Sequence, residues 1–231
     1  MAGGRRMAEM RVIRVTGKGC IKLKPDLTIV YIALEGCHKA YEDTLRKSSE
    51  DTELLKDMFE KLGFKRDDVR TRAFNVNPKY ESYQTKAGNW KERFVGYSYN
   101  HSLKVEFDSD NEKLGKILYA LAHAKEITPD FLIAYAIKDK EAAKNLLIAR
   151  AVEDAKEKAA VLAKAAGVKL MNIQSIDYSW GEVSFELPMV RYDKCMAMPD
   201  GACENGSAYA MDIEPEDIEE SDTVTVVWGI D

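Results

Sequence analysis

Val95-Gly96-Tyr97-Ser98-Tyr99-Asn100-His101-Ser102-Leu103-Lys104-Val105-Glu106-Phe107 decides the fold class. Val95, Tyr97, Tyr99, His101, Leu103, Val105 and Phe107 alternate with Gly96, Ser98, Asn100, Ser102, Lys104 and Glu106. Successive side chains on a strand point to opposite faces, so this pattern predicts a half-buried antiparallel strand. At about 3.4 Å per residue it would span about 40 Å, long for a strand.

Working outward, Leu27 to Leu34 reads as a strand apolar on both faces, and so does Phe131 to Ile137. Such strands are central or covered on both sides. Leu55, Met58, Phe59 and Leu62 give a helical stripe in a helix from about Ala40 to Leu62, with Gly63 as its cap. Asp68 to Tyr80 reads as a strand and residues 81–92 as a hairpin loop. Ser109 with Glu112 suggests a capping box for a helix striped by Leu114, Ile117, Leu118 and Leu121. A long helix follows from about Lys140 to Ala166, with Ile148, Val152, Ala155, Ala159, Leu162 and Ala166 as its stripe. Its ten alanines suit close packing on a sheet, and alanine favours helix in any case. Val12 to Thr16, punctuated by Gly17 and Gly19, and Thr223 to Ile230 read as terminal strands, and Lys169 to about Trp180 as another.

The order strand, helix, Gly-hydrophobic-Lys, strand, strand occurs twice, with Gly63 and Gly167 in corresponding places. The expected class is α+β: two β-α-β-β units forming antiparallel sheet with helices packed on one face. Residues 1–10 read as a disordered leader. Residues 11–231 read as a single domain with halves at about 11–108 and 109–231. An irregular acidic loop is expected over 186–220.

Length 231, 45% hydrophobic and 32% charged residues describe a chain that can bury a core without disulfides. No apolar run approaches the roughly 20 residues of a membrane-spanning helix. Net charge is −5, but residues 195–231 hold ten acids and no Lys or Arg. Seven of those acids lie between Asp212 and Asp222, which reads as a solvated loop. Cys20, Cys37, Cys195 and Cys203 lack zinc spacing. Cys195, Met196, Met198 and Cys203 form a soft-ligand cluster of the kind that suits Cu(I), though it lacks histidine. Gly17-Lys18-Gly19 lacks the rest of a phosphate loop. The three histidines form no nucleophile-and-base spacing, and His101 reads as a satisfied, partly buried residue. No catalytic, cofactor or metal residue is therefore assigned.

The hairpin 79–97 is different. It interleaves Lys79, Lys86, Lys91 and Arg93 with aromatics. Glu81 and Glu92 dilute the charge, which argues against nucleic acid. The aromatics read either as plain packing of the hairpin or as a partner or self-association surface, and the candidate interaction surface is Tyr80, Tyr83, Trp90, Phe94, Tyr97 and Tyr99.

Four motifs in order resemble the SIMPL-domain family. They are Ile13-Arg14-Val15-Thr16-Gly17-Lys18-Gly19 with Pro25-Asp26, then Gly96 to Val105. Next come Ala151, Asp154-Ala155, Lys158-Ala159, Leu162-Ala163 and Gly167, and last Ile213-Glu214-Pro215-Glu216-Asp217-Ile218 before Val224-Thr225-Val226. Glu216 stands where the family usually has Gly. The resemblance implies an α+β fold, self-association and links to stress responses or signalling. It supplies no reaction, cofactor or catalytic residue. The family is widespread in bacteria and has an animal member implicated in binding a signalling kinase.

The expected function is a non-enzymatic, homo-oligomeric interaction or scaffold protein, with a further protein partner allowed and no nucleic acid or membrane span. The alternative is an uncharacterised enzyme or small-molecule binder with a site between the halves. Met1 to Met10 has no apolar signal core, so a full-length chain would be cytoplasmic. A removed signal would make it periplasmic or envelope-associated.

Overall fold

The computed structural model describes residues 11–86, 88–178, 183–187, 190–191 and 213–231. The chain divides into two compact units, and the boundaries are not sequential. One unit comprises residues 26–136 and 187–215; the other comprises 1–25, 137–186 and 216–231. The expected halves at 11–108 and 109–231 therefore differ from the compact units. The repeat persists as an order of elements, but the first strand of its second copy pairs with the first strand of the first copy. Two apolar strands share cover more effectively side by side than apart.

In the larger unit the strands are β2 (Leu27–His38), β3 (Arg70–Gln84), β4 (Trp90–Asp108), β5 (Asp130–Ala136) and the two-residue β7 (Val190–Arg191). They form an antiparallel sheet in the order β3-β4-β2-β5-β7. Helices α1 (Tyr41–Lys61) and α2 (Asn111–Ala122) cover one face. Leu55 and Phe59 of α1, with Leu114, Ile117, Leu118 and Leu121 of α2, pack on Val30, Ile32, Leu34, Leu103, Val105, Phe107 and Ile133. On the opposite face Ile29, Ala134 and Ala136 are also buried, as expected of strands apolar on both sides. The cap of α2 is Asp110, whose Oδ1 accepts the Lys113 amide at 3.1 Å; Ser109 is not the cap.

In the other unit β1 (Val12–Leu23), β6 (Leu170–Asp177) and β8 (Ile218–Ile230) form an antiparallel sheet in the order β1-β8-β6. Helix α3 (Lys140–Ala166) lies on it. Asp139 caps α3 by accepting the Ala142 amide at 2.8 Å. The buried stripe of α3 is Ala143, Leu147, Ala151, Ala155, Ala159 and Ala163. The stripe expected from the larger residues is displaced: Ile148 and Val152 flank the contact and Leu162 is 49% exposed.

The reason lies in β1. Gly17 and Gly19 do not end this strand but sit inside it, facing the helix. A Cβ on Gly17 would fall 2.0 Å from the Ala151 carbonyl oxygen, and one on Gly19 2.1 Å from that of Leu147. Backbone approaches backbone, so only the smallest side chains fit between. The alanines are thus a packing requirement as well as a helix preference.

β8 begins at Ile218, so Glu219, Glu220 and Asp222 belong to a strand and not to a solvated loop. Glu219 pairs across the sheet with Lys22, whose Nζ lies 2.7 Å away. The cluster Cys195, Met196, Met198 and Cys203 lies outside the described residues, as does most of 186–220.

Gly17→Ala should lower the unfolding free energy by about 2–3 kcal/mol, the usual cost of overpacking a tight seam. Lys18→Ala, on the outward face, should stay within about 0.5 kcal/mol. Urea denaturation of the three proteins measures both.

Candidate interaction surface

β4 is longer than the strands beside it. Its pairing with β2 ends at His38 opposite Tyr97. From Gly96 back to Trp90 it pairs only with β3, from Lys79 to Gln84. The hairpin expected to be a loop over 81–92 is therefore strand on both sides, closing between Thr85 and Asn89, where the Thr85 amide donates to the Asn89 carbonyl at 2.8 Å. The result is a two-stranded ribbon running past the sheet.

The register assigns its two faces. Opposed residues share a face, so Pro78 with Tyr97, Tyr80 with Phe94, Ser82 with Glu92 and Gln84 with Trp90 line one side. Lys79 with Gly96, Glu81 with Arg93, and Tyr83 with Lys91 line the other. A strict period of two in β4 would put Phe94 opposite Tyr97. Instead the register shifts between Lys79 and Tyr80, leaving Val95 as the extra residue of a bulge. The bulge turns Phe94 onto the side of Tyr97. Four rings then run edge to face: Tyr41 to Tyr97 at 5.4 Å, Tyr97 to Phe94 at 5.3 Å and Phe94 to Tyr80 at 5.6 Å. These separations are the favoured ones for aromatic pairs.

This aromatic face continues the helix-covered face of the sheet, since Tyr97, Tyr99, His101, Leu103 and Val105 all oppose the α1 side of β2. Tyr41 opens α1, so the cover stops there while the apolar face goes on. Trp90 is 70%, Tyr80 56% and Phe94 44% exposed. The opposite side is polar, with Arg93 Nη2 3.4 Å from Glu81 Oε2.

Under α1 the same face turns polar. Thr44, Ser48, Asp51 and Thr52 are buried there. The Tyr99 hydroxyl donates to Asp51 Oδ2, and Lys47 Nζ lies 2.8 Å from Asp51 Oδ1. Burial, then the hydrogen bond to Asp51, holds the Tyr99 phenol well above its usual range. Gly36, opposite Tyr99, leaves room for its ring: a Cβ there would lie 2.5 Å from Tyr99 Cε1. His101 sits between two threonines, with Thr52 Oγ1 2.9 Å from Nδ1 and Thr71 Oγ1 2.9 Å from Nε2. Thr52 donates its hydroxyl to the Ser48 carbonyl at 2.7 Å. It therefore accepts from His101 Nδ1–H, and Nε2 accepts from Thr71 in the neutral ring. Burial, and secondarily the charge of Lys56, lower the His101 pKa. Ser48, Thr52, Thr71, Phe74 and His101 line part of an open cleft of about 310 Å3 beside α1.

The model of the SIMPL family, described as a protein of unknown function (DUF541), matches residues 13–228. The chain belongs to the SIMPL family. It is also similar to a protein named "26 kDa periplasmic immunogenic protein" from Brucella melitensis biotype 1, at 29% identity over 165 residues. That alignment covers 71% of this chain and 65% of the Brucella protein, so the chain spans just under two thirds of that relative.

The SIMPL motifs quoted from the sequence now have places. Ile13 to Gly19 and Ala151 to Gly167 are the two sides of the glycine–alanine seam. Asp154 Oδ2 joins them by accepting the Lys18 amide at 2.7 Å. Gly96 to Val105 runs from the bulge into the core of the larger unit. The SIMPL resemblance thus rests on scaffold positions, while Tyr80, Phe94 and Trp90 fall outside its motifs. Of the six residues expected to form a surface, Trp90, Phe94, Tyr80 and Tyr97 share a face. Tyr83 points to the opposite side. Tyr99 is no surface residue: at 2% exposure it is core, because α1 still covers the sheet at that point. Tyr41 and Pro78 also belong to the aromatic face, which the hairpin's sequence pattern does not show. Tyr41 comes from a helix start, and only the fold brings it to Tyr97.

Tyr99→Phe should cost about 1–3 kcal/mol in urea denaturation, since it strips the buried Asp51 carboxylate of a donor. His101 gives a pH effect of known sign. Its folded pKa is lowered, so below about 6.5 the unfolded chain takes up the proton first. Its contribution to stability is full above that pH, falls as pH drops toward the folded value, and then levels off. His101→Asn should lose less stability between pH 7.5 and pH 5.0 than the parent chain.

Proposed function

We propose that this SIMPL protein is a non-enzymatic, homo-oligomeric interaction protein whose copies meet through the aromatic face of the β3–β4 ribbon. The observation that carries the reading is a sheet face that outruns its helix, with Tyr80 and Phe94 exposed side by side and Trp90 exposed beyond Ser82 and Glu92 on the same face. A two-stranded ribbon is marginal by itself in water, and large apolar patches on monomers are rare. The need for cover is permanent, so it calls for a partner that is always present. A second copy of the chain meets that condition. His101 supports the non-enzymatic part, because both its ring nitrogens are engaged by threonines in a structural role. The Brucella relative's name favours a periplasmic setting over a cytoplasmic one. Among the described residues no helix is long and apolar enough to cross a membrane. A role in stress responses or signalling rests on the family resemblance.

Light scattering coupled to size exclusion should give a mass at least about twice 26.0 kDa at micromolar concentration. Moderate salt should change it little, since the contact is apolar. The double variant Tyr80→Ser with Phe94→Ser should dissociate, weakening self-association by about 2–4 kcal/mol. Tyr83→Ser, on the opposite side, should keep the parent mass. A parent chain that stays monomeric throughout would sink the proposal.

A further inference from the structure

Strand β3 is the outermost of its sheet, and the side away from β4 carries no strand among the described residues. An open strand of fifteen residues is a template for another strand, and two copies joined edge to edge would give a continuous sheet. The backbone of β3 argues against that mode.

The direction of its amides follows from the turn. Thr85 donates its amide inward to Asn89, and amide direction alternates along a strand. The Asn77 carbonyl, of the same parity, also points inward, since it accepts the Ser98 hydroxyl at 3.4 Å. The odd-numbered residues Asn77, Lys79, Glu81 and Tyr83 thus face β4, and the even-numbered ones face the open edge. Pro78 is even-numbered and central. It has no amide hydrogen, and its ring occupies the place where an incoming strand would seek a donor. Just before this stretch the register slips between Thr71 and Ala73, leaving Arg72 as a second bulge. Arg72 is drawn away over the Tyr31 ring, 4.9 Å from its centroid. The open edge is therefore interrupted at its middle and at its start. On the aromatic face Tyr80, Phe94 and Tyr97 are continuous, the polar pair Ser82 and Glu92 comes only beyond them toward Trp90, and Pro78 adds to the continuous part, opposite Tyr97.

Resting on the homo-oligomer proposed above, we infer that copies associate side chain to side chain across the aromatic face, and that Pro78 keeps the β3 edge from accepting a strand. Pro78 is then a specificity residue: it excludes open-ended sheet growth and leaves closed packing of rings.

Amide hydrogen exchange on the assembled full chain, resolved to single residues, tests this. The outward amides of Val76, Tyr80 and Ser82 should exchange within about tenfold of unprotected rates, and the inward amides of Asn77, Lys79 and Glu81 at least about a hundredfold more slowly. An assembly of the expected mass with both sets equally protected would overturn this inference and leave the homo-oligomer standing. A monomer would overturn both. Pro78→Thr restores the missing donor. It should produce species heavier than the parent assembly and slow the exchange of Val76 and Tyr80 at least about tenfold. A Pro78→Thr protein with the parent's mass and exchange would remove Pro78 from the role.

Discussion

An apolar sheet face must be kept from water, and in the larger unit the cover is shorter than the face. Helix α1 starts at Tyr41, level with Tyr97, while β4 begins at Trp90. Everything distinctive about the ribbon follows from that mismatch. Inside the boundary the face carries Tyr99, Leu103 and Val105, buried against α1 and α2. Outside it the face carries Phe94, Tyr80 and Trp90, exposed. The bulge at Val95 lies just beyond the boundary and keeps the rings on one side across it.

The two units solve helix-on-sheet packing by opposite means. α3 meets β1 through glycine and alanine, so backbones come within contact distance and little side-chain volume lies between. That seam is stiff, because any added methyl group must displace a backbone. α1 meets its sheet through Leu55 and Phe59 at one end and through Thr44, Ser48, Asp51 and Thr52 at the other. A buried polar seam is costly unless each group finds a partner. Here Asp51 has Tyr99 and Lys47, Thr52 has His101, and Thr44 donates to the Ala40 carbonyl. The polar end fixes the place of α1 along the sheet, since a shift would break the Tyr99–Asp51 and His101–Thr52 contacts together. It thereby fixes where the aromatic face emerges.

The SIMPL motifs and the aromatic face divide the molecule between them. The motifs sit where small size or a backbone contact is obligatory, as at Gly17, Gly19 and Ala151. The rings sit where solvent would tolerate almost any residue. Their edge-to-face contacts join the two strands of the ribbon, and their outer faces stay exposed.

Periodicity alone determined the helices and the central strands. The alternation from Val95 to Phe107, the doubly apolar runs at Leu27 and Phe131, and the stripe at Leu55 to Leu62 each follow from burying one face or two. The α+β class and the aromatic content of the hairpin were legible for the same reason. The tertiary structure decided the rest. The bulge at Val95 reverses parity, and no periodic rule reveals where a strand breaks its period. The stripe of α3 falls on alanines and not on Ile148 and Leu162, because the demand for small residues comes from glycines more than a hundred positions away. The acids Glu219, Glu220 and Asp222 became strand because β1 offered them a partner, with Lys22 opposite Glu219. Tyr99 and Phe94 look equivalent in sequence, two aromatics in one strand. One is core and the other surface, because burial depends on where a helix ends, and that is set by contacts distant in the chain.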